Sequence, residues 1–307
     1  MIICRNLSKR FEEIQALDNI NLKVKRGEIW GLVGPDGAGK TTLIRTICGL
    51  IKPDYGEIEL LGYPPHEQDK ISSRLGYMPQ RFSLYGDLTV MENIFFFGAM
   101  YAIDKKTIRD RAVKILQITG MNRFQNRLAD QLSGGMKQKL ALTTALITRP
   151  EVLLLDEPTY GVDPESRKEF WKILYRLNQE GITILVSTPY MDEAEQCHQV
   201  AFINQGQIKA VDSPHGLRQS WGHQVLELRI DSRDPKILSN VPELLDVSFY
   251  GYKYRVVVDN EEQARENIED HLNKLGLTIL EITRTVPSME DVFVALAEDE
   301  ADHGIRN

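Results

Sequence analysis

A chain of 307 residues, 42% hydrophobic and 26% charged, is long enough for one sizeable core and a smaller companion domain. Its net charge of −7 gives no reason to expect a nucleic-acid partner, and its most apolar window, residues 94–103, is half of the roughly 20 residues a membrane-spanning helix needs. The three separated cysteines, Cys4, Cys48 and Cys197, offer no metal spacing and read as reduced thiols, and the N-terminus lacks the order of a signal peptide.

In chain order, residues 27–34 (GEIWGLVG) read as a strand entering a glycine-rich turn, and 40–50 carry apolar residues at helical spacing. From Thr89 to Leu146 helical signals dominate, opened by the capping-box spacing of Thr89 and Glu92. Residues 151–158 (EVLLLDEP) and 183–188 (TILVST) are continuous apolar runs ending in polar residues, as in parallel strands buried on both faces. A proline, Pro189, follows the second run.

After about Trp221 the pattern changes to VLELRI, YKYRVVV and LTILEITR as strands. A helix is expected at 261–275, with Ala264, Ile268, Leu272 and Leu275 on one face, then a short helix in SMEDVFVAL and a frayed tail. The expected architecture is α/β: a domain over 1–220 with a mainly parallel sheet and a helical insertion at about 85–146. A small α+β accessory domain at 221–300 and a tail at 301–307 complete it.

GPDGAGKT, residues 34–41, fits G-x-x-x-x-G-K-[ST] in full and lies between a strand and a helix. Gly34, Gly37 and Gly39 allow a backbone whose N–H groups face phosphate oxygens, with Asp36, Ala38 and Thr42 completing the candidate cradle. Asp36 is expected to point outward, because a carboxylate against a polyanion is repelled. Lys40 would reach the β- and γ-phosphates of ATP, and Thr41 would ligate Mg²⁺. At the end of the LLLDE strand, Asp156 suits the outer shell of Mg²⁺, and Glu157 is placed to orient or deprotonate an attacking water.

With these motifs in the same order, LSGGMKQKL at 132–140 resembles the ATP-binding subunits of ABC transporters, over about residues 1–221. The resemblance implies a P-loop NTPase fold with an N-terminal β subdomain, and ATP sites shared between two such domains facing head to tail. Ser133, Gly134 and Gly135 would then bind a γ-phosphate held by the partner, as donors at a helix start can. It also implies that Gln80 contacts Mg²⁺ and water, that Phe11 stacks on adenine, and that Asp163 lies in a loop crossing to the partner chain. Residues 94–103 fall in the insertion that docks on a membrane subunit in this family. The implied partners are membrane-spanning permease subunits and a second ABC ATPase domain, with the chain peripheral at the cytoplasmic face of the membrane. The extension ending PSMEDVFVAL looks like those of drug, antibiotic and polysaccharide exporter ATPases, and several motifs look like the first half of fused double-ATPase exporters.

Where the family pattern has a phosphate-contacting histidine after the ST pair, this chain has Pro189, with no polar side chain and no N–H. His198 is expected at the surface, and Tyr190 is a weak substitute. The expectation is an exporter motor whose own hydrolytic site is weakened, working as a heterodimer rather than a homodimer. The alternatives are a soluble non-transport ABC ATPase or an ATP-sensing dimerisation module with little turnover.

Overall fold

The structure, a computed structural model, describes residues 1–81, 84–294 and 296. Two compact units divide the chain, Met1–Pro214 and a second beginning at His215.

In the first unit, β1 (Ile2–Phe11) and β2 (Ile14–Val24) form an antiparallel hairpin, and β3 (Ile29–Val33) leads through residues 34–39 into α1 (Lys40–Ile47). β4 (Tyr55–Leu60), α2 (Gln68–Ile71) and β5 (Leu75–Met78) follow. The insertion is α3 (Val90–Met100), α4 (Lys105–Thr119) and α5 (Gly134–Ala145). β6 (Val152–Asp156), α6 (Pro164–Gln179), β7 (Thr183–Thr188), α7 (Met191–Ala194), β8 (Gln199–Asn204) and β9 (Gln207–Asp212) complete the unit.

Two sheets result. One is antiparallel, in the order β2-β1-β4; the other has the order β5-β6-β7-β3-β8-β9, parallel except for its edge strand β9. Every residue of β3, β6 and β7 is buried, which is why these runs are apolar rather than alternating. The register pairs Asp156 with Ser187 and Val33 with Thr188, so the C-terminal ends of the three central strands meet at one edge.

Helix boundaries follow local chemistry. The Thr89–Glu92 capping box forms in both directions and starts α3. Asp104 caps α4, which ends at Gly120 in the left-handed region, and Asp163 caps α6 with Pro164 in its first turn. The three cysteines are buried free thiols; burial pushes Cys4 up to about 12.

The second unit contains α8 (Pro214–Ser220, whose first residue closes the unit before), β10 (Gln224–Ile230), β11 (Leu244–Phe249), β12 (Tyr254–Val258), α9 (Glu261–Lys274) and β13 (Ile279–Thr285). Its antiparallel sheet has the order β11-β12-β10-β13, and Ala264, Ile268 and Leu272 of α9 pack with Leu226, Leu228, Tyr254 and Val256. Leu275 departs from the expected helix face. It is the C-cap and 54% exposed, because the helix ends before its turn reaches the sheet. Residues 289–294 are helical, with Met289 and Val292 buried. The tail expected at 301–307 lies outside the described residues.

Candidate functional site

The site lies where β3, β6 and β7 end, and the loop 34–39 shows why glycines are needed. A Cβ on Gly34 would stand 2.0 Å from the Ile203 carbonyl oxygen. Gly39 has φ 106 and would bring a Cβ to 2.5 Å from the Ala16 carbonyl. The loop is therefore wedged between the β8 end and β2 and cannot spread. Ala38 is buried, its carbonyl accepting from Gly206 N–H at 2.9 Å. Asp36 is exposed, its Oδ1 3.8 Å from the Lys40 ammonium. Thr42 lies in the first turn of α1, its carbonyl accepting from the Thr46 hydroxyl.

Lys40 is 4% exposed, and Nζ donates to the carbonyls of Gly34 at 2.8 Å and Pro35 at 2.9 Å. It also stands 3.3 Å from Glu157 Oε1. The other carboxylate oxygen of Glu157 accepts from Gln80 Nε2 at 2.7 Å. Glu157 itself has φ 46, an uncommon left-handed conformation for a non-glycine residue, held by its N–H on Ser187 Oγ at 2.9 Å. Asp156 is fully buried, and its Oδ1 accepts from Thr41 Oγ1 at 3.0 Å and Ser187 Oγ at 2.9 Å. Burial pushes the Asp156 carboxyl above the usual carboxylate range, while the Ser187 and Thr41 hydroxyls pull it back. Its second oxygen, Oδ2, is buried with no hydrogen-bond partner. An orphaned carboxylate oxygen beside the Thr41 hydroxyl is a donor set that fits a hard divalent cation such as Mg²⁺.

Ser187 joins this set without having been singled out from the sequence. The available signal was a hydroxyl closing a buried apolar strand whose neighbour ends in Asp156-Glu157.

The remaining candidates form separate groups. Ser133 caps α5 through Met136 N–H, Gly134 opens its first turn, and a Cβ on Gly135 would stand 2.8 Å from Ser166 Oγ. Asp163 Oδ1 accepts from Ser166 N–H at 2.9 Å, so the LSGG turn and the start of α6 pack together. Among the described residues, no hydrogen bond or ion pair ties Ser133, Gly134, Gly135 or Asp163 to Lys40, Thr41, Asp156 or Glu157. Phe11 ends β1, is 44% exposed, and carries the Lys9 ammonium 5.2 Å from its ring centroid. Its hairpin continues into the part of β2 against which Gly39 packs.

Pro189 follows Thr188, whose register partner is Val33, and therefore stands level with the entry to the phosphate loop. The corner around it is pinned from below by Glu193, a fully buried carboxylate. Glu193 accepts from the hydroxyls of Thr159 and Thr188, each at 2.6 Å, and lies 3.7 Å from Arg167 Nε. Tyr190 donates its N–H to Thr188 Oγ1 at 3.1 Å and holds the Arg167 guanidinium 4.1 Å from its ring centroid. Exchanging Glu193 for alanine leaves two buried hydroxyls without their acceptor and is expected to cost about 3 kcal/mol, read from urea unfolding. A loss below about 0.5 kcal/mol would mean that the network does not hold the corner. His198 is exposed, and its Nδ1 accepts the Ile29 N–H at the start of β3, roughly 16 Å along the strand from Gly34.

A glycine loop between strand and helix, a buried lysine, a threonine hydroxyl and two strand-end carboxylates define a phosphate-loop nucleotide-binding protein. The ABC transporter family matches residues 17–160, and the C-terminal domain of DrrA1-3-like ATP-binding proteins matches residues 213–297. The chain is 39% identical to the probable multidrug ABC transporter ATP-binding protein YbhF of Escherichia coli K12, over 96% of this chain and 52% of that one, about half its length. It is 30% identical to the linearmycin resistance ATP-binding protein LnrL of Bacillus subtilis 168, covering 96% of this chain and 98% of the relative. It is 35% identical to the Nod factor export ATP-binding protein I of Burkholderia lata, covering 96% of each. Among solved structures, the dimeric post-hydrolysis ATP-binding cassette MJ0796 bound to ADP and Pi aligns with a TM-score of 0.62 and 30% identity, over 69% of this chain and 98% of that one. The chain belongs to the family of ATP-binding subunits of ABC transporters.

Proposed function

We propose that this chain is the ATP-binding and ATP-hydrolysing motor subunit of an exporter, coupling MgATP-driven dimerisation of ATPase domains to efflux through separate membrane subunits. The convergence of Lys40, Thr41, Asp156, Glu157 and Gln80 at one strand edge carries the reading. Phosphate oxygens compete for the ammonium that Lys40 now shares between two loop carbonyls and Glu157. Transfer of that ammonium to phosphate frees Glu157 Oε1 to orient a water while Gln80 keeps hold of Oε2. Thr41 and Asp156 would hold Mg²⁺, which when bound offsets charge on the phosphates.

Ser133, Gly134, Gly135 and Asp163 bond among their own neighbours rather than with the phosphate loop, which supports an ATP site completed by a second ATPase domain. Pro189 supplies no donor at the γ-phosphate, which favours a heterodimer in which a companion chain carries the stronger hydrolytic site and this chain supplies Ser133, Gly134 and Gly135. Phe96 within α3, Met100 at its end and Tyr101 at its C-cap, 38%, 69% and 45% exposed, support docking of the insertion on a membrane-spanning permease at its cytoplasmic face. No helix among the described residues is long and apolar enough to cross a membrane. Export as the direction rests on what the relatives' names state, multidrug transport, linearmycin resistance and Nod factor export.

Glu157→Gln is expected to keep MgATP affinity within about threefold while removing residual phosphate release, a loss on the order of 100-fold or more. Phosphate release and ATP titration on the purified chain check this. Undiminished release by the variant would rule out Glu157 as the water-orienting group. No release by either protein would favour the reading of an ATP-sensing dimerisation module, which Pro189 recommends.

A further inference from the structure

At the opposite end of β6 and β7 from the phosphate loop is a cavity of about 490 Å³ whose chemistry the ATP site does not use. α4 contributes Arg111 and Lys114 to it, the α5–β6 connection Arg149, and the end of α6 Arg176 and Glu180. Its floor includes Leu146 and Leu177, which are 3% and 2% exposed. Val152, where β6 begins beside it, is four residues from Asp156, roughly 13 Å along the strand. A ligand there would not touch the phosphate loop.

The lining carries four cations against one carboxylate, in a chain whose net charge is −7. Arg111 is fixed by donation to the Ile147 carbonyl at 2.8 Å. Among the described residues no carboxylate pairs with Lys114, Arg149 or Arg176. The carboxylate next along the chain, Glu151, is occupied by Arg74 at 2.7 Å and Arg26 at 3.1 Å. Arg149 is also unusual in its backbone. Its φ is 58, left-handed, at a position before Pro150 where extended conformations are the rule. Strain of this kind persists where the surrounding structure imposes it, and it directs attention to what the side chain does.

We propose that this cavity binds a small polyanion, carrying two or more phosphoryl or carboxylate groups, at a second site distinct from that for ATP. Arg and Lys side chains reaching one cavity from three segments suit several anionic groups together, whereas a monoanion would leave most of them unmatched. Aliphatic residues form the floor and, among the described residues, no aromatic side chain lines the cavity, so recognition is of charge and aliphatic framework rather than of a nucleobase.

The competing explanation is that Arg149 and Arg176 serve the C-terminal ends of α5 and α6, where cations offset the helix dipole. Glycine at 149 relaxes the left-handed backbone under either explanation. Anion binding separates the two, because a dipole-serving Arg149 predicts equal binding by the native chain and Arg149→Gly.

The full chain, with its phosphate loop saturated by MgADP, is titrated with tripolyphosphate and separately with citrate by calorimetry and thermal unfolding. Binding by either anion is expected in the native chain, about tenfold or more weaker in Arg149→Gly and in Arg176→Glu, and weakened by salt. MgADP affinity should be equal in all three proteins, so that failure here is distinguishable from failure of the ATP site. Preference for one anion assigns the phosphoryl or the carboxylate class. No binding of either by the native chain at about 10 mM, or equal binding in all three, would overturn the proposal.

Discussion

Pro189→His is expected to raise the ATPase rate of the purified chain by on the order of 100- to 1000-fold, the range seen when one preorganised donor to a transition-state charge is gained or lost. The backbone has no need of the proline. Tyr190 takes its own N–H to Thr188 Oγ1, and the Glu193 contacts with Thr159 and Thr188 hold the corner through neighbouring side chains. Position 189 is level with the loop entry after Val33 and two residues beyond the Asp156–Ser187 pair. An imidazole there would stand at the strand edge where the phosphates are proposed to lie. Steady-state phosphate release at saturating MgATP is the measurement. A native chain that already turns over as fast as the variant would end the weakened-site reading, and the reason for preferring a heterodimer with it.

Lys40→Ala is expected to lower MgATP affinity by about 100-fold or more, because each charge-assisted hydrogen bond lost is worth about 1.5–3 kcal/mol. A second effect follows from burial. Glu157 is 6% exposed, and Lys40 is the cation facing its Oε1 at 3.3 Å. Removing that cation leaves a buried carboxylate held by Gln80 alone, with an expected loss of about 3–5 kcal/mol in stability. Titration calorimetry reads the first effect and urea unfolding the second. The double variant Lys40→Ala with Glu157→Gln should recover much of the stability and none of the binding. A single variant that still shows the native MgATP-induced thermal shift would remove Lys40 from the site.

The parallel strands and the glycine loop were legible because their constraints are local. A strand buried on both faces must be apolar throughout, as residues 152–156 are, and a loop that turns beneath a neighbouring carbonyl must have glycine, as at Gly34. The Thr89–Glu92 cap and the Asp163–Pro164 start of α6 were readable for the same reason. Leu275 misled because helical periodicity does not say where the helix leaves the sheet.

What the sequence by itself determined is therefore the chemistry available: a glycine loop with the residue types of a phosphate cradle, its lysine and its hydroxyl, two carboxylates at a strand end, and a proline after the Ser187-Thr188 pair. Only the tertiary structure decided which groups meet. Ser187 links Asp156 to the Glu157 backbone, buried Glu193 ties Thr159 to Thr188, and His198 lies at the far end of β3. Cations from α4, the α5–β6 connection and α6 share one cavity. These pairings join residues brought together by strand register and helix packing, and sequence spacing carries no record of which face a distant segment will meet.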